Sequence, residues 1–293
     1  MDWLLGLRAP ELTAVFRAFS FLGDVTFFLL FIPLGYWLWR PGLFYRLGVL
    51  LLVSTLINVT LKAIFQVPRP DVLQLVAASG WSFPSGHAQT AATIWPWLVL
   101  ELGGSRRWMW AAATALIAGV SMSRVYLGVH YPRDVFVGIA VGLLIAAAAW
   151  WLYRRTPRWW RSLGTHLQVG AGVSATAIWI MALGSSANHT VALAGGALLG
   201  FWAGGLYQRH TVGFTVPSGW PRALAAAVLG LTVTFSLRFG LKAGFADLGM
   251  AAGSADVVRY LVTTLWITWG APWVFAVLGI AGLHQGDRCP DQE

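Results

Sequence analysis

Charge is what this chain has least of. Charged side chains make up 11% of its 293 residues and only 11 are acidic, while hydrophobic residues make up 57%. A soluble domain of this length does not bury that much apolar surface, so the composition excludes one and points to an integral membrane protein. Lysine is nearly absent as well, because 18 of the 20 basic residues are arginine. The net charge of +9 does not mark a nucleic-acid surface. Many of the arginines fall in short loops between apolar runs, which is the pattern of cytoplasmic loops. The single cysteine, Cys289, excludes an internal disulfide and leaves the redox compartment open. No basic n-region with a small-residue cleavage site opens the chain, so no removable signal peptide is expected.

What is there is a series of apolar runs at roughly 21–39, 44–65, 86–103, 108–126, 131–152, 163–184, 190–206, 223–243 and 258–282. Each is near the length needed to cross a bilayer as a helix. Residues 3–20, interrupted by Arg8, Glu11 and Arg17, read as an amphipathic helix lying at the interface. The expected fold is all-α, a polytopic membrane helix bundle of about nine spans plus that N-terminal helix. Arg40, Arg46, Arg106, Arg107, Arg154, Arg155, Arg158 and Arg161 share one face in this count and place it in the cytoplasm. Loops 66–85 and 124–130 then lie outside. The basic stretch 154–162 reads as a linker between residues 1–153 and a C-terminal membrane region, 163–293.

Ionisable residues in such a chain need a reason. An Arg or Lys at mid-bilayer costs roughly 2.5–3.5 kcal/mol on insertion scales, so it faces a polar site or snorkels outward. Lys62, Arg69 and Arg124 each sit at a segment end, where interfacial anchoring explains any one of them alone. Together they converge beside Pro84-Ser85-Gly86-His87 if the second, third and fourth spans pack side by side. There the backbone opens a helix whose N–H groups attract anions. Three cations and a helix N-terminus suit a phosphate dianion. His130 and Asp134 are four apart, hence on one helical face and within reach. A carboxylate that fixes an imidazole tautomer makes it a nucleophile, which assigns attack to His130 and proton donation to His87.

These residues, as Lys62-(six)-Arg69-Pro70, Pro84-Ser85-Gly86-His87 and Ser123-Arg124-(five)-His130-(three)-Asp134, resemble the three signatures of the type 2 phosphatidic acid phosphatase superfamily. The resemblance covers about residues 55–150 and makes residues 1–153 a phosphatase core. It implies a phosphatase needing no metal or other cofactor, acting on a lipid phosphate or lipid pyrophosphate through a phosphohistidine. In it Lys62, Arg69 and Arg124 bind phosphate, assisted by Ser85 and the Gly86 backbone. The substrates it implies are of the phosphatidic acid, phosphatidylglycerophosphate or undecaprenyl pyrophosphate type. The implied setting is a bacterial inner membrane with the site facing out. Lipid phosphotransfer from the same intermediate, or lipid binding and transport without turnover, are the alternatives. Residues 163–293 match none of the signatures. Arg238, Lys242 and Arg259 read there as snorkelling anchors or, less simply, as a patch for an anionic headgroup.

Overall fold

The computed structural model of the chain describes residues 6, 8–71, 74–156, 163–183, 189–250 and 252–283, and these are almost wholly helical. Helix α1 (Pro10–Phe21) turns by 50° into α2 (Val25–Leu38). Asp24 ends the break by accepting the Thr26 N–H at 2.7 Å, a side-chain cap on an otherwise apolar helix. Helix α3 (Pro41–Phe65) opens with proline, whose missing N–H costs nothing there, and at 1.5 Å per residue runs about 37 Å. Then come α4 (Gly86–Glu101), α5 (Arg107–Tyr126) and α6 (Pro132–Arg154). The second half holds α7 (Thr165–Leu183), α8 (His189–Thr211), α9 (Trp220–Asp247) and α10 (Ala252–Leu265). A π-helical turn, Trp266–Gly270, joins α10 to α11 (Ala271–Val277). Two short strands, Phe214–Thr215 and Gly282–Leu283, pair antiparallel.

Every apolar run read from the sequence contains a helix, and the last, 258–282, ends in a turn and a short strand. Among the described residues, six helices are long and apolar enough to cross a membrane alone, or seven if α1 and α2 count as one bent span. Helix α4, at 16 residues, falls short by itself. Of the expected N-terminal helix, residues 3–5 and 7 lie outside the described residues, as do 157–162 of the linker, His284 and Cys289. The part that is described packs along α5: the Phe16 and Tyr126 rings are 4.3 Å apart, and Phe19 lies against Gly119.

Helix α4 is gripped by α3, α5 and α6. Gly138 and Gly142 put the backbone of α6 directly on α4. A Cβ at Gly138 would stand 2.6 Å from the Ser85 carbonyl oxygen, and one at Gly142 2.3 Å from that of Gln89. Small residues four apart permit such an approach where lipid offers no hydrophobic drive. A buried polar chain occupies the same layer. Gln89 donates to the Ser54 carbonyl at 2.8 Å, Asn58 donates to Gln89 Oε1 at 2.9 Å, and Thr93 donates to the Gly142 carbonyl at 3.2 Å. Polar groups without partners cost several kcal/mol in such surroundings, so this chain fixes how α3, α4 and α6 register.

The segments on either side of 154–162 share one core, in which Trp37, Phe44, Leu47 and Ile94 meet Phe201 and Phe275. Two carbonyls of the π turn accept from α2, Ile267 from Trp37 Nε1 at 2.9 Å and Thr268 from the Tyr36 hydroxyl at 3.1 Å. The expected trio on α9 and α10 does not form one outward patch. Arg259 is buried in an ion pair with Asp256 at 2.5 Å, because the two stand three apart on one helix face. Arg238 donates to the Tyr260 hydroxyl at 3.3 Å, and Lys242 is exposed.

Candidate active site

The ends of α3 and α5 and the starts of α4 and α6 meet at one end of the bundle. At the opposite end Arg46 pairs with Glu101 at 2.8 Å and lies over the Tyr153 ring. Leaving α3, the chain reverses at Gln66 in the left-handed region and folds back over α5. There Leu75, Val76 and Ala78 pack against Tyr126, Leu127 and Val129. The loop returns at Ser82, whose N–H donates to the Val67 carbonyl at 2.8 Å. Ser85 donates its N–H to the Asp134 carbonyl at 2.9 Å, so the first turns of α4 and α6 are tied before either helix proceeds.

Two of the expected cations hold this loop. Lys62 Nζ donates to the carbonyls of Trp81 at 2.5 Å and Ser82 at 3.1 Å. Arg69 spreads its guanidinium over three carbonyls, Gly80 at 3.0 Å, Ser79 at 2.8 Å and Val129 at 2.8 Å. Such a fork is preorganised: its plane is set by backbone atoms. The third, Arg124, donates to the Ser20 hydroxyl. All three line a cavity of about 420 Å³ with Gly86, His87 and His130. Ser85 and Asp134 are buried beside it rather than on its wall.

His130 reaches the cavity because α5 ends in a reversal. Gly128 has φ +76°, a conformation that glycine adopts without strain, and Val129 N–H returns to the Arg124 carbonyl at 3.2 Å. His130 therefore precedes α6 instead of sharing a helical face with Asp134, which corrects the sequence expectation while keeping the pair together. Asp134, in the first turn of α6, accepts the Tyr131 N–H at 3.0 Å and lies 3.5 Å from His130 Nδ1. Ser82 stands between them, donating to Asp134 Oδ2 with its oxygen 3.3 Å from the same ring nitrogen. On the other side of the ring, Nε2 lies 3.4 Å from Arg69 Nη1.

Burial pushes the His130 imidazole down from its ordinary 6.5, the Asp134 carboxylate pulls it back up, and Lys62, Arg69 and Arg124 lower it again, to about 4. A depressed value means that the neutral ring persists through the neutral range and is lost only as pH falls through that value. In 15N NMR of the solubilised protein without substrate, the His130 ring signals should titrate near pH 4. A midpoint at or above 6.5 would show that the imidazole is neither desolvated nor crowded by cations.

Several of these partners carry no signal in sequence. Ser82 differs from any other serine only by where the loop places it. Asn58 and Gln89, which hold the Pro84 carbonyl and α4, lie in apolar runs where one amide looks incidental. Arg17, Ser20 and Asp24 line the cavity from α1 and the break after it, where the sequence reads the first two as part of an interfacial helix and the third as the start of a span.

The chain matches the PAP2 superfamily over residues 43–158. It also matches the "PAP2 superfamily phosphatase, transmembrane extension" over residues 192–283. It is 35% identical over 153 residues to a phosphatidylglycerophosphatase B of Bacillus subtilis (strain 168), which covers 47% of this chain and 74% of that protein. An undecaprenyl-diphosphatase of Sulfolobus acidocaldarius is 32% identical over 111 residues, covering 34% of this chain and 52% of the other. Among solved structures, a transmembrane PAP2-type phosphatidylglycerolphosphate phosphatase from Bacillus subtilis superposes with a TM-score of 0.49. Its sequence identity is 28%, and the superposition covers 54% of this chain and 84% of that one.

Proposed function

This chain belongs to the PAP2 superfamily, whose relatives here are membrane lipid phosphatases, and on that premise we propose that it hydrolyses a lipid phosphate or diphosphate through a phosphohistidine on His130. One observation carries the reading. Nδ1 of His130 faces Ser82 and Asp134, while Nε2 faces the cation-lined cavity. A proton held at Nδ1 puts the lone pair on Nε2, where only the long contact to Arg69 must yield for it to attack phosphorus, and the carboxylate stabilises the imidazolium that forms. Lys62, Arg69 and Arg124 hold the phosphoryl oxygens, with the Gly86 N–H at the start of α4. Ser85 Oγ, buried with no hydrogen-bond partner among the described residues, is a further donor for them.

As the P–O bond breaks, His87 gives its proton to the leaving oxygen. In the second step water gives a proton to His87 and attacks the phosphohistidine, which returns His130 neutral and releases inorganic phosphate. The fixed cations neutralise the phosphate charge, so the reading requires no metal. The site faces outward in this account, which the eight arginines that the sequence count puts on the other face support.

Phosphate release by purified protein tests the reading. Phosphatidic acid, phosphatidylglycerophosphate and undecaprenyl diphosphate should include at least one substrate, and excess EDTA should leave its rate unchanged. Activity lost to EDTA and restored by magnesium would remove the metal-free mechanism. Intact spheroplasts should hydrolyse a membrane-impermeant phosphate ester, and hydrolysis only after lysis would reverse the orientation.

A further inference from the structure

The cavity carries more positive charge than one phosphate needs. Arg17, Lys62, Arg69 and Arg124 line it, with Asp24 as the one carboxylate on its wall among the described residues, a formal surplus of three positive charges before any proton on His87 is counted. A phosphate monoester brings about −2 at neutral pH. A lipid whose reacting phosphate is bonded to a second phosphate brings about one negative charge more and comes closer to balancing the wall.

The position of the additional cation separates it from the other three. Lys62 and Arg69 are engaged with carbonyls around His130, and Arg124 with Ser20. Arg17 comes from α1, outside the residues matched to the superfamily, and its side chain is exposed. One of its nitrogens, Nη2, donates to the Leu75 carbonyl at 3.1 Å, which anchors the guanidinium at the cavity and leaves further N–H groups to donate. The break after α1 is itself part of the wall. Ser20 and Asp24 line the cavity, and a Cβ at Gly23 would come within 2.8 Å of His87 Cδ2. The bend between α1 and α2 thus closes the site on the side facing His87.

We propose that Arg17 binds the second, non-reacting phosphate of the substrate and so selects lipid diphosphates over lipid monophosphates. The proposal rests on the phosphatase reading. Arg17 touches the substrate beyond the atoms that react, so it contributes to binding and leaves the chemical step alone. Its fork suits a phosphate better than a lysine does, because two parallel N–H bonds match two oxygens.

Farnesyl diphosphate and farnesyl monophosphate, identical but for one phosphate, provide the test with the purified full-length protein. In Arg17→Ala, kcat/KM for the diphosphate should fall about tenfold through a higher KM, the loss expected for one charged hydrogen bond. The monophosphate should stay within about twofold of wild type, and Arg17→Lys should recover part of the loss. A parallel fall with both esters would overturn the proposal and leave Arg17 as a clamp on Leu75. No change with either would overturn it as well. If the wild-type protein releases phosphate from neither ester and from none of the three lipids above, the phosphatase reading itself has failed.

Discussion

His130→Ala is expected to lower phosphate release by about four orders of magnitude or more, with the protein still folded. Removing a nucleophile leaves only what binding and electrostatics provide, and in enzymes that use one such losses are of that size or greater. The ring is buried, and its loss opens a space beside Ser82, Asp134 and Arg69. Those three retain other partners, namely Asp134 for Ser82, the Tyr131 N–H for Asp134 and three carbonyls for Arg69. The unfolding temperature should therefore move by only a few degrees. Inhibitory oxyanions such as vanadate should still bind, because the cations that hold them remain. A variant retaining wild-type turnover would place the nucleophile elsewhere.

Gly142→Val should also lower turnover, by less, and for a mechanical reason. The added Cβ would meet the Gln89 carbonyl oxygen at 2.3 Å and the Ala92 side chain at 2.8 Å, so α4 and α6 must separate. Overpacking a well-filled contact costs typically 1–3 kcal/mol. Here it also pulls at Thr93, which donates to the Gly142 carbonyl, and at Gln89, which holds Asn58 and Ser54. The first turn of α4 carries His87, so turnover should fall at least tenfold along with thermal stability. Gly244→Val on α9, where an added Cβ meets nothing within 4 Å, is the matched control and should change neither. Equal behaviour of the two variants would mean that α4 and α6 are not packed as described.

Much of this was legible in the sequence because charge is so scarce. In a chain with 11 acidic residues, a carboxylate four positions from a histidine stands out, and so do lysine and arginine at segment ends. The apolar runs gave the helices for the same reason. Periodicity says which face of a helix is apolar but not what covers it. Phe16 and Phe19, on the helix that reads as interfacial, pack on α5 and bring Arg17 and Ser20 to the cavity. The roles of Ser82, Asn58 and Gln89 come from distances that only the folded loop creates. Gly138 and Gly142 look unremarkable in a chain with 33 glycines until α4 is laid against them. The shared core of the two halves was hidden too, since a basic linker resembles a boundary even where the helices beyond it pack back.

The covalent step is the centre of this account. Farnesyl diphosphate carrying 32P in its terminal phosphate, mixed with wild-type or His87→Ala protein and quenched in base after milliseconds, tests it most directly. The account predicts label on the peptide containing His130, absent from His130→Ala protein and released on continued incubation with wild type. Steady phosphate release with no label on His130 at any quench time, or label on another residue, would contradict it.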